Sequence, residues 1–317
     1  MSEEQDIFLL LGELCRRPGF AHAIAFCCYR DNFFRYGDSL STQEVLNGLS
    51  QERLLRIEIS TLLGLMVQGG IDYALQTPIV SQMYIDRSES LLCALHEELK
   101  NIMLDSINHD SVHSYRNTVF EAGAALREPI FYGSESAYDF QYSEFAIKKY
   151  QNDNNWLKVN RGFTIEEAIE VVCAIDRSQE ESIADTVGIM SKTDPVEWTL
   201  LPCFIIGIGK IVEYASVGME VVTSVLKAFT NKDDENNNNF KSLQDYNIIN
   251  STPLLKVDED RFILFQRYSL VESIYESPFY WMENDKKYKV IAEINRGRFT
   301  ENVCKERLEL VFGDVAA

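Results

Sequence analysis

The chain has 317 residues, of which 46% are hydrophobic and 25% are charged, as in an ordinary folded protein. This length suits one large domain or two to three modules and leaves ample residues for a buried core. The net charge of −19 repels phosphate backbones, so it excludes broad nonspecific nucleic-acid binding unless a local basic face exists.

Cysteine usage and the apolar runs predict a cytoplasmic protein. The cysteines lie mostly inside apolar helical runs and are Cys15, Cys27, Cys28, Cys93, Cys173, Cys203 and Cys304. Their number is odd and no CxxC pair occurs, which favours buried reduced thiols over disulfides or a zinc site. The acidic residues 1–6 do not form a signal peptide. No apolar run reaches about 18 residues, so we expect no membrane span.

The sequence predicts neither a metal site nor a cofactor. Gly207 and Gly209 precede a helical pattern, which is the position of a nucleotide-binding loop. A dinucleotide fingerprint would need a third glycine at Val212, and a Walker loop would need Ser or Thr after Lys210. Both patterns fail, so a simple turn into the helix is the better interpretation.

Residues 1–107 are predicted to be continuously helical. The second helix, from residue 20 to about residue 29, is nearly all apolar and should be buried on every side. A longer helix over residues 51–68 ends at Gly69-Gly70. After Pro78, a long amphipathic helix runs to about Asp105.

Aromatic side chains dominate the next segment, residues 127–142, which has little periodicity and is predicted to be a loop. A long aromatic loop is costly to order without a reason, so it could line a cleft for a ligand or partner. Equally, its aromatic rings could simply pack against the helical core and anchor the loop there. The residues predicted to contact a ligand or partner are Arg127, Glu128, Phe131, Tyr132, Glu135, Tyr138 and Asp139.

Helical patterns resume after this loop. Thr164-Ile165-Glu166-Glu167 is a capping-box signature that opens a helix running at least to Ser178. Further helices are predicted over residues 143–151, 270–274, 279–282, 288–294 and 299–312. The last helix ends at Gly313, and residues 268–317 are expected to pack back on the rest.

Polar side chains interrupt the apolar runs near the N-terminus. His22 lies within the second helix, and Glu58 interrupts an apolar stripe. Because buried charges must pair, we expect Glu58 to contact an arginine. The nearby arginines are Arg30, Arg35 and Arg56. Such a cluster is either a structural ion pair or a small polar pocket, and the candidate pocket consists of His22, Arg30, Asp31, Arg35 and Glu58.

A helix-turn-helix spacing occupies residues 211–226 and resembles that of lactose-repressor-type regulators. Ala215 fills the small position at which two helices cross, and Val217 lies in the turn. The inward-facing positions are Ile211, Tyr214, Val222, Val225 and Leu226. Residues 253–257 and 261–265 around an acidic turn would form the wing, after a polar insertion at residues 231–239.

The side chains of this winged-helix-like unit argue against base reading. A recognition helix presents Arg, Lys, Asn or Gln to base edges and cations to phosphates. The candidate recognition helix offers only Glu220, Thr223, Ser224 and Lys227. Residues 209–267 carry seven Lys and Arg against nine Asp and Glu, a net charge of −2. The unit is therefore predicted to hold protein together, with nucleic-acid binding disfavoured.

Six segments together resemble a known kind of protein region. They are GFAHA (19–23), YRDN (29–32), RIEISTL (56–62), REPIFYG (127–133), YESPFYWM (275–282) and NRGRFTE (295–301). This set is similar to the N-terminal region of large, uncharacterised bacterial proteins that carry a nuclease-related domain further on. The resemblance implies a sensor, scaffold or regulatory arm in defence against foreign DNA. It carries over no catalytic residue of the nuclease type.

The sequence thus predicts a mainly α, multi-helical protein with a winged-helix-like unit. Its expected parts are a helical module (1–192), the winged-helix-like unit (193–267) and C-terminal helices (268–317). The predicted function is a non-catalytic interaction or regulatory module that binds a protein partner or a nuclease-related domain missing from this chain. This function predicts an exposed apolar patch near residues 268–317. The alternatives are a DNA-binding regulator, and a small-molecule-binding protein or enzyme that uses the polar pocket.

Overall fold

The structure, a computed structural model, describes residues 3–32, 54–108, 138–231 and 237–313. The chain divides into two compact units, and each is described by itself. Unit 1 comprises Met1–Glu135, Glu180–Ile205 and Asn231–Ile249, and unit 2 comprises Ser136–Gln179, Ile206–Thr230 and Asn250–Ala317. These boundaries differ from the three consecutive parts predicted from the sequence.

Helices account for most of the described residues, which confirms the mainly α prediction. The α-helices are α1 (Glu3–Cys15), α2 (Phe20–Asn32), α3 (Arg56–Met66), α4 (Pro78–Asn108), α5 (Asp139–Tyr150), α6 (Asn154–Arg161), α7 (Ile165–Met190), α8 (Ile208–Tyr214), α9 (Met219–Ala228), α10 (Arg267–Glu283) and α11 (Lys289–Phe312). Short 3₁₀ turns occupy Val67–Gly69, Pro195–Glu197, Leu201–Phe204 and Ile248–Asn250.

A small sheet accompanies these helices. Its strands are β1 (Ile205–Gly207), β2 (Leu255–Lys256) and β3 (Arg261–Ile263), arranged in the order β1-β3-β2. Strands β2 and β3 are antiparallel, with Leu255 opposite Ile263. Asp258 Oδ1 accepts the backbone N–H groups of Asp260 and Arg261 at 3.0 and 2.8 Å. An aspartate that bonds the backbone two residues on favours a tight turn, so the hairpin forms where the sequence predicted it.

Unit 1 is built on α1, α2, α3 and α4, which pack against one another. Their apolar stripes supply side chains such as Leu11, Leu62 and Leu95, each at most 1% exposed. A fully buried leucine stabilises a fold by roughly 1.5–3 kcal/mol relative to an exposed one. The prediction that α2 is buried on every side is confirmed only in its first part. Ala21, Ala25 and the residues between them are buried, whereas Phe26 is 38% exposed.

Part of the predicted polar insertion, residues 231–239, is anchored in unit 1. Asn237 is only 4% exposed, and its side-chain Nδ2 donates to the Gly64 carbonyl at 2.9 Å and to Asn247 Oδ1 at 3.0 Å. Gln68 Nε2 donates to the carbonyls of Asn237 and Phe240. The expected flexible polar run is thus wrong at Asn237, because its amide satisfies buried polar groups of α3. Residues 232–236 lie outside the described part of the chain.

Unit 2 has one hydrophobic core, shared by helices and sheet. It includes Phe163, Ile175, Val222, Leu264 and Ile274, which come from five separate segments and are fully buried. Helices α5, α10 and α11 pack together in this unit, and α9 packs on α6 and α8.

The predicted loop 127–142 is wrong at its C-terminal end. Helix α5 begins at Asp139, because Tyr138 is extended and the Gln141 side chain accepts its backbone N–H at 2.9 Å. Tyr142 then lies in the first turn of a helix and is 3% exposed in the core of unit 2. Residues 127–137 lie outside the described part of the chain.

Several helix predictions have different bounds in the structure. The helix predicted over residues 51–68 is Arg56–Met66, and residues 70–77, within the stretch predicted to be continuously helical, lie outside any helix. Helix α10 continues through Pro278, and α11 runs without a break from Lys289 to Phe312, although the sequence suggested separate pieces. The capping box at the start of α7 is confirmed: Thr164 N–H donates to Glu167 Oε2 at 2.8 Å, and Glu167 N–H donates to Thr164 Oγ1 at 3.3 Å.

Candidate functional site

His22 uses both of its ring nitrogens within unit 1. Nε2 lies 3.1 Å from the Tyr73 carbonyl oxygen, and Nδ1 lies 2.6 Å from Thr199 Oγ1. A carbonyl oxygen only accepts, so Nε2 carries the proton and Nδ1 accepts from the threonine hydroxyl. With both nitrogens occupied, His22 ties α2 to two loop segments and has no ring nitrogen left for a ligand.

Glu58 contacts a histidine of α4, where the sequence suggested an arginine. Its Oε1 lies 3.0 Å from His96 Nε2, and its Oε2 accepts the backbone N–H of Leu55 at 2.6 Å. Burial lowers the pKa of His96 to about 4, and burial also raises the pKa of Glu58. Near neutral pH His96 is therefore uncharged, and the pair is a buried hydrogen bond that also caps α3.

The remaining members of the candidate pocket have other partners. Arg56 donates to both Asp31 carboxylate oxygens at 3.1 and 3.2 Å, and the Arg30 guanidinium lies 5.9 Å from the centre of the Phe26 ring. His22, Glu58 and Asp31 thus make contacts with three different partners, whereas a ligand pocket requires polar groups aimed at one space. Arg35 lies outside the described residues.

Few of the candidate contacts in the aromatic segment can be placed. Arg127, Glu128, Phe131, Tyr132 and Glu135 lie outside the described residues. Tyr138 is 71% exposed and its ring stacks on that of Phe140, with centroids 5.8 Å apart. Asp139 begins α5, and its side chain is also outside the described part.

The candidate recognition helix α9 presents a mixed face. Glu220, Thr223 and Lys227 are exposed, whereas Ser224 is half-buried beside Gly162 at the end of α6. Gly162 has φ +87°, and a Cβ there would lie 2.8 Å from Ser224 Oγ. Ser224 therefore belongs to the contact between α6 and α9, and the open face carries one acidic and one basic residue.

Each of the two cations of the β2–β3 hairpin is paired with an adjacent acid. Lys256 Nζ lies 2.7 Å from Glu259 Oε1, and an Arg261 guanidinium nitrogen lies 2.7 Å from Asp258 Oδ2. Hydrogen bonds from Arg261 lower the pKa of Asp258, so this carboxylate stays charged. A DNA phosphate approaching the hairpin would meet carboxylates that already hold these cations.

At Pro278 the backbone hydrogen-bond ladder of α10 is interrupted, and two polar side chains of α5 bridge this helix break. Pro278 lacks a backbone N–H, so the hydrogen-bond ladder of α10 opens beside it. The Tyr275 carbonyl accepts from Lys149 Nζ at 2.5 Å and from the Tyr150 hydroxyl at 2.7 Å. The Phe279 N–H donates to that same hydroxyl at 3.2 Å. The Tyr150 hydroxyl is therefore inserted between a donor and an acceptor four residues apart in α10.

Lys149 is an almost fully buried lysine with a strongly lowered pKa. Its side chain is 1% exposed, and its ammonium lies 3.6 Å from the Glu276 carboxylate and 3.5 Å from the Tyr275 ring centre. Burial lowers the pKa of Lys149 to about 7, against the opposing effect of Glu276. A lysine with a lowered pKa can act as a nucleophile or base. Here the Lys149 amine donates to the Tyr275 carbonyl at the helix break. This structural role explains why the side chain is buried.

The inner face of α11 is polar and well anchored. Asp153, only 2% exposed, accepts from the Asn295 side-chain amide at 2.6 Å and from the Tyr288 hydroxyl at 2.7 Å. Lys148 of α5 lies 3.1 Å from Glu306. These bonds fix which side of α11 faces the rest of unit 2.

The outer face of α11 is largely apolar. Positions that alternate in spacing by four and three residues are all exposed; they are Val290, Ile294, Gly297, Glu301, Cys304, Leu308 and Val311. We call these residues the α11 stripe. Its aliphatic members are 49% to 73% exposed. Exposed apolar side chains gathered on one face of a helix are typical of an interaction site, and this spacing is that of a coiled-coil seam.

One groove in unit 2 is smaller than a typical small-molecule site. A groove between α5 and α11, lined by residues such as Gln151 and Asn302, has a volume of about 230 Å³, below the roughly 300–1,000 Å³ of typical ligand pockets. The described residues contain no cluster of His, Cys, Asp and Glu suited to a metal ion.

Sequence reasoning missed His96, Lys149 and Tyr150, and it predicted an exposed apolar patch near residues 268–317 without naming the residues of the α11 stripe. His96 falls on the same helical face as Leu92, Leu95 and Leu99, which marks it as buried. A proline inside a helical pattern indicates carbonyls that need outside donors, which could have pointed to Lys149 and Tyr150.

None of the described helices is long and apolar enough to cross a lipid bilayer. No known family model, curated protein or solved structure matches this chain.

Proposed function

We propose that this protein is a non-catalytic interaction module that binds another protein chain through the α11 stripe. The observation that carries the proposal is the outward-facing apolar surface of α11, in the region where the sequence predicted an exposed patch. Val290, Ile294, Leu308 and Val311 are each about half exposed or more. Covering such a side chain contributes roughly 1 kcal/mol or more, so a partner helix along the stripe would gain several kcal/mol.

We further propose that β1, α8, α9 and the β2–β3 hairpin form a winged-helix-like unit that contacts protein. The strand order β1-β3-β2 supports this proposal, because β1 pairs with β3 and so extends the wing hairpin on the side away from β2. Four of the five inward positions expected from the spacing support it too: Ile211, Val222, Val225 and Leu226 are at most 1% exposed. The fifth, Tyr214, is partly buried against the same core.

The charges of this unit favour protein contact over DNA binding. The open face of α9 carries Glu220 and Lys227 together, and the hairpin cations are held by Glu259 and Asp258. We expect no binding of a labelled 20-base-pair duplex at 50 mM salt by fluorescence anisotropy. Binding that falls steeply between 50 and 200 mM salt would favour the DNA-binding regulator instead.

Photo-crosslinking in cells that produce the full chain tests the interaction proposal. A benzophenone amino acid replaces Leu308 on the stripe, and in a matched control it replaces Val159, an exposed apolar residue of α6. We expect ultraviolet light to yield a crosslinked species from position 308 and none from position 159. If positions 308 and 294 both fail to crosslink to any protein, the proposal is wrong.

The resemblance to bacterial proteins with a nuclease-related domain suggests one candidate partner for this surface. A crosslink from position 308 to such a domain would support a regulatory arm in defence against foreign DNA. We also propose a reducing, cytoplasmic location, because all seven cysteines are free thiols.

A further inference from the structure

The α11 stripe has the pattern of a coiled-coil seam with an interrupted centre. Its 4-3-4-3 spacing corresponds to the two core positions of a heptad, a and d. Ile294, Glu301 and Leu308 occupy a positions, and the d positions are Val290, Gly297, Cys304 and Val311. Apolar residues thus lie at both ends, and a glycine and a glutamate lie near the middle. A Cβ added at Gly297 would meet nothing within 4 Å, so the surface there is open.

We propose that the stripe binds a second copy of this chain, with the two α11 helices antiparallel. This inference depends on the proposed function, and it names the partner. Antiparallel seams pair a positions with d positions. One alignment places Leu308 against Val290 of the second copy and Ile294 against Cys304 of the second copy. By symmetry each of these layers occurs twice.

The same alignment accommodates the charged side chain of Glu301 at the centre of the seam. It places Glu301 against Gly297 of the second copy, where the missing side chain leaves room for the carboxylate. Arg298, the neighbour of that glycine, is exposed and lies within reach of the incoming carboxylate. A buried or half-buried carboxylate requires such a partner.

The flanking positions add two complementary charge pairs. The residues that precede the a positions, called g, face one another across an antiparallel seam. In this alignment Glu293 meets Arg307 of the second copy, twice by symmetry, and both residues are exposed. Charge complementarity at such positions sets partner choice and orientation.

A parallel arrangement is disfavoured by the same residues. It would place Glu301 directly against Glu301 of the second copy at the seam, where like charges repel. It would also place Gly297 against Gly297, which leaves a gap between the helices. The shifted antiparallel alignment, with Ile294 opposite Val311 of the second copy, is disfavoured as well, because it brings Arg298 against Lys305 twice. In the preferred alignment the equivalent flanking contact is a single one, Arg298 with Arg298 of the second copy, and the two Glu301 carboxylates lie beside it.

Engineered disulfides distinguish these arrangements in the full-length protein. Antiparallel pairing predicts that Ile294→Cys, oxidised with a copper–phenanthroline catalyst, forms a covalent dimer through Cys304 of the second copy. The control Ile294→Cys/Cys304→Ser should remain monomeric on a non-reducing gel, since two residues at position 294 are far apart. Mass spectrometry of the linked peptides excludes joining through Cys93 or Cys173. A dimer of the unmodified protein joined through two Cys304 residues would instead show parallel pairing and overturn the proposal.

Association is measured by analytical ultracentrifugation between 1 and 100 μM. We expect a monomer–dimer equilibrium that Leu308→Glu weakens at least ~10-fold. Glu293→Arg and Arg307→Glu should each weaken it, and the double charge swap should restore it. A monomer at all these concentrations, or no restoration by the swap, would overturn the second-copy proposal.

The photo-crosslink at position 308 shows whether only the second-copy proposal fails or whether the proposed function fails as well. A crosslinked species of twice the chain's mass supports both proposals. A crosslink to a different protein supports the interaction module and overturns the second-copy partner. Absence of any crosslink overturns both.

Discussion

Lys149 is the residue whose replacement tests the structure most directly. Its ammonium is enclosed at the proline break of α10, where it donates to the Tyr275 carbonyl. Lys149→Met keeps an unbranched side chain of similar length and removes the charge. The Tyr150 hydroxyl still bonds the same carbonyl at 2.7 Å, so the helix break keeps a donor and we expect the fold to survive.

The expected effect is a change in how stability depends on pH. Burial lowers the pKa of Lys149 from its ordinary 10.5 to about 7. Between these two values the unfolded chain holds a proton that the folded protein has released, so the free energy of unfolding rises with pH. From pH 7 to pH 8.5, the unfolded chain holds on average roughly 0.8 proton more on Lys149 than the folded protein does. Since one pKa unit corresponds to about 1.4 kcal/mol, the rise in the free energy of unfolding is on the order of 1–2 kcal/mol. The Lys149 side chain is 1% exposed, so solvent screening reduces the expected rise in the free energy of unfolding only slightly.

Urea unfolding at pH 7.0, 7.5, 8.0 and 8.5 measures this dependence. Trp198→Phe in both proteins leaves Trp156 and Trp281 as fluorescent reporters, and both lie in unit 2 with Lys149. The free energy of unfolding of the Lys149 protein should rise relative to that of Lys149→Met by roughly 1–2 kcal/mol across the range. Titrating cysteines are common to both proteins and cancel in the difference. Parallel pH profiles would refute the burial of an uncharged lysine at the helix break.

Three glycine substitutions test close packing by the shift in urea midpoint. Gly64→Ala should destabilise the protein by about 2 kcal/mol or more, because the new Cβ would overlap the buried Asn247 amide. Gly162→Ala should cost about 1–2 kcal/mol, because φ is +87° and Ser224 Oγ is 2.8 Å from the new atom. Gly188→Ala, which meets nothing within 4 Å in α7, should instead raise stability by up to about 1 kcal/mol. Equal midpoints for all three would contradict the described packing.

Local signals in the sequence were sufficient where the interaction is local. The capping box at Thr164 and Glu167 lies within four residues, and the structure contains both of its hydrogen bonds. The hairpin turn depends on Asp258 bonding residues two and three positions on. Such contacts depend on spacing along the chain, so the pattern alone indicates them.

Non-local partners could not be derived in the same way. Glu58 was expected to meet Arg30, Arg35 or Arg56, but its partner is His96, 38 residues away on another helix. Lys149 reaches Tyr275 across 126 residues. Their positions depend on how helices pack, and periodicity defines a buried face without naming what lies opposite.

The α11 stripe shows a further reason why a pattern can mislead. An apolar stripe at helical spacing is usually assigned to the core, with the polar face outward. In α11 the inward face includes Asn295, which bonds the buried Asp153, while Ile294 and Leu308 face outward. The polar groups of the inner face are satisfied by specific bonds, so this face is already committed within unit 2. The apolar stripe on the other side is therefore the surface that we propose binds a second copy of the chain, and in that proposal its central Glu301 and Gly297 restrict which chain can bind.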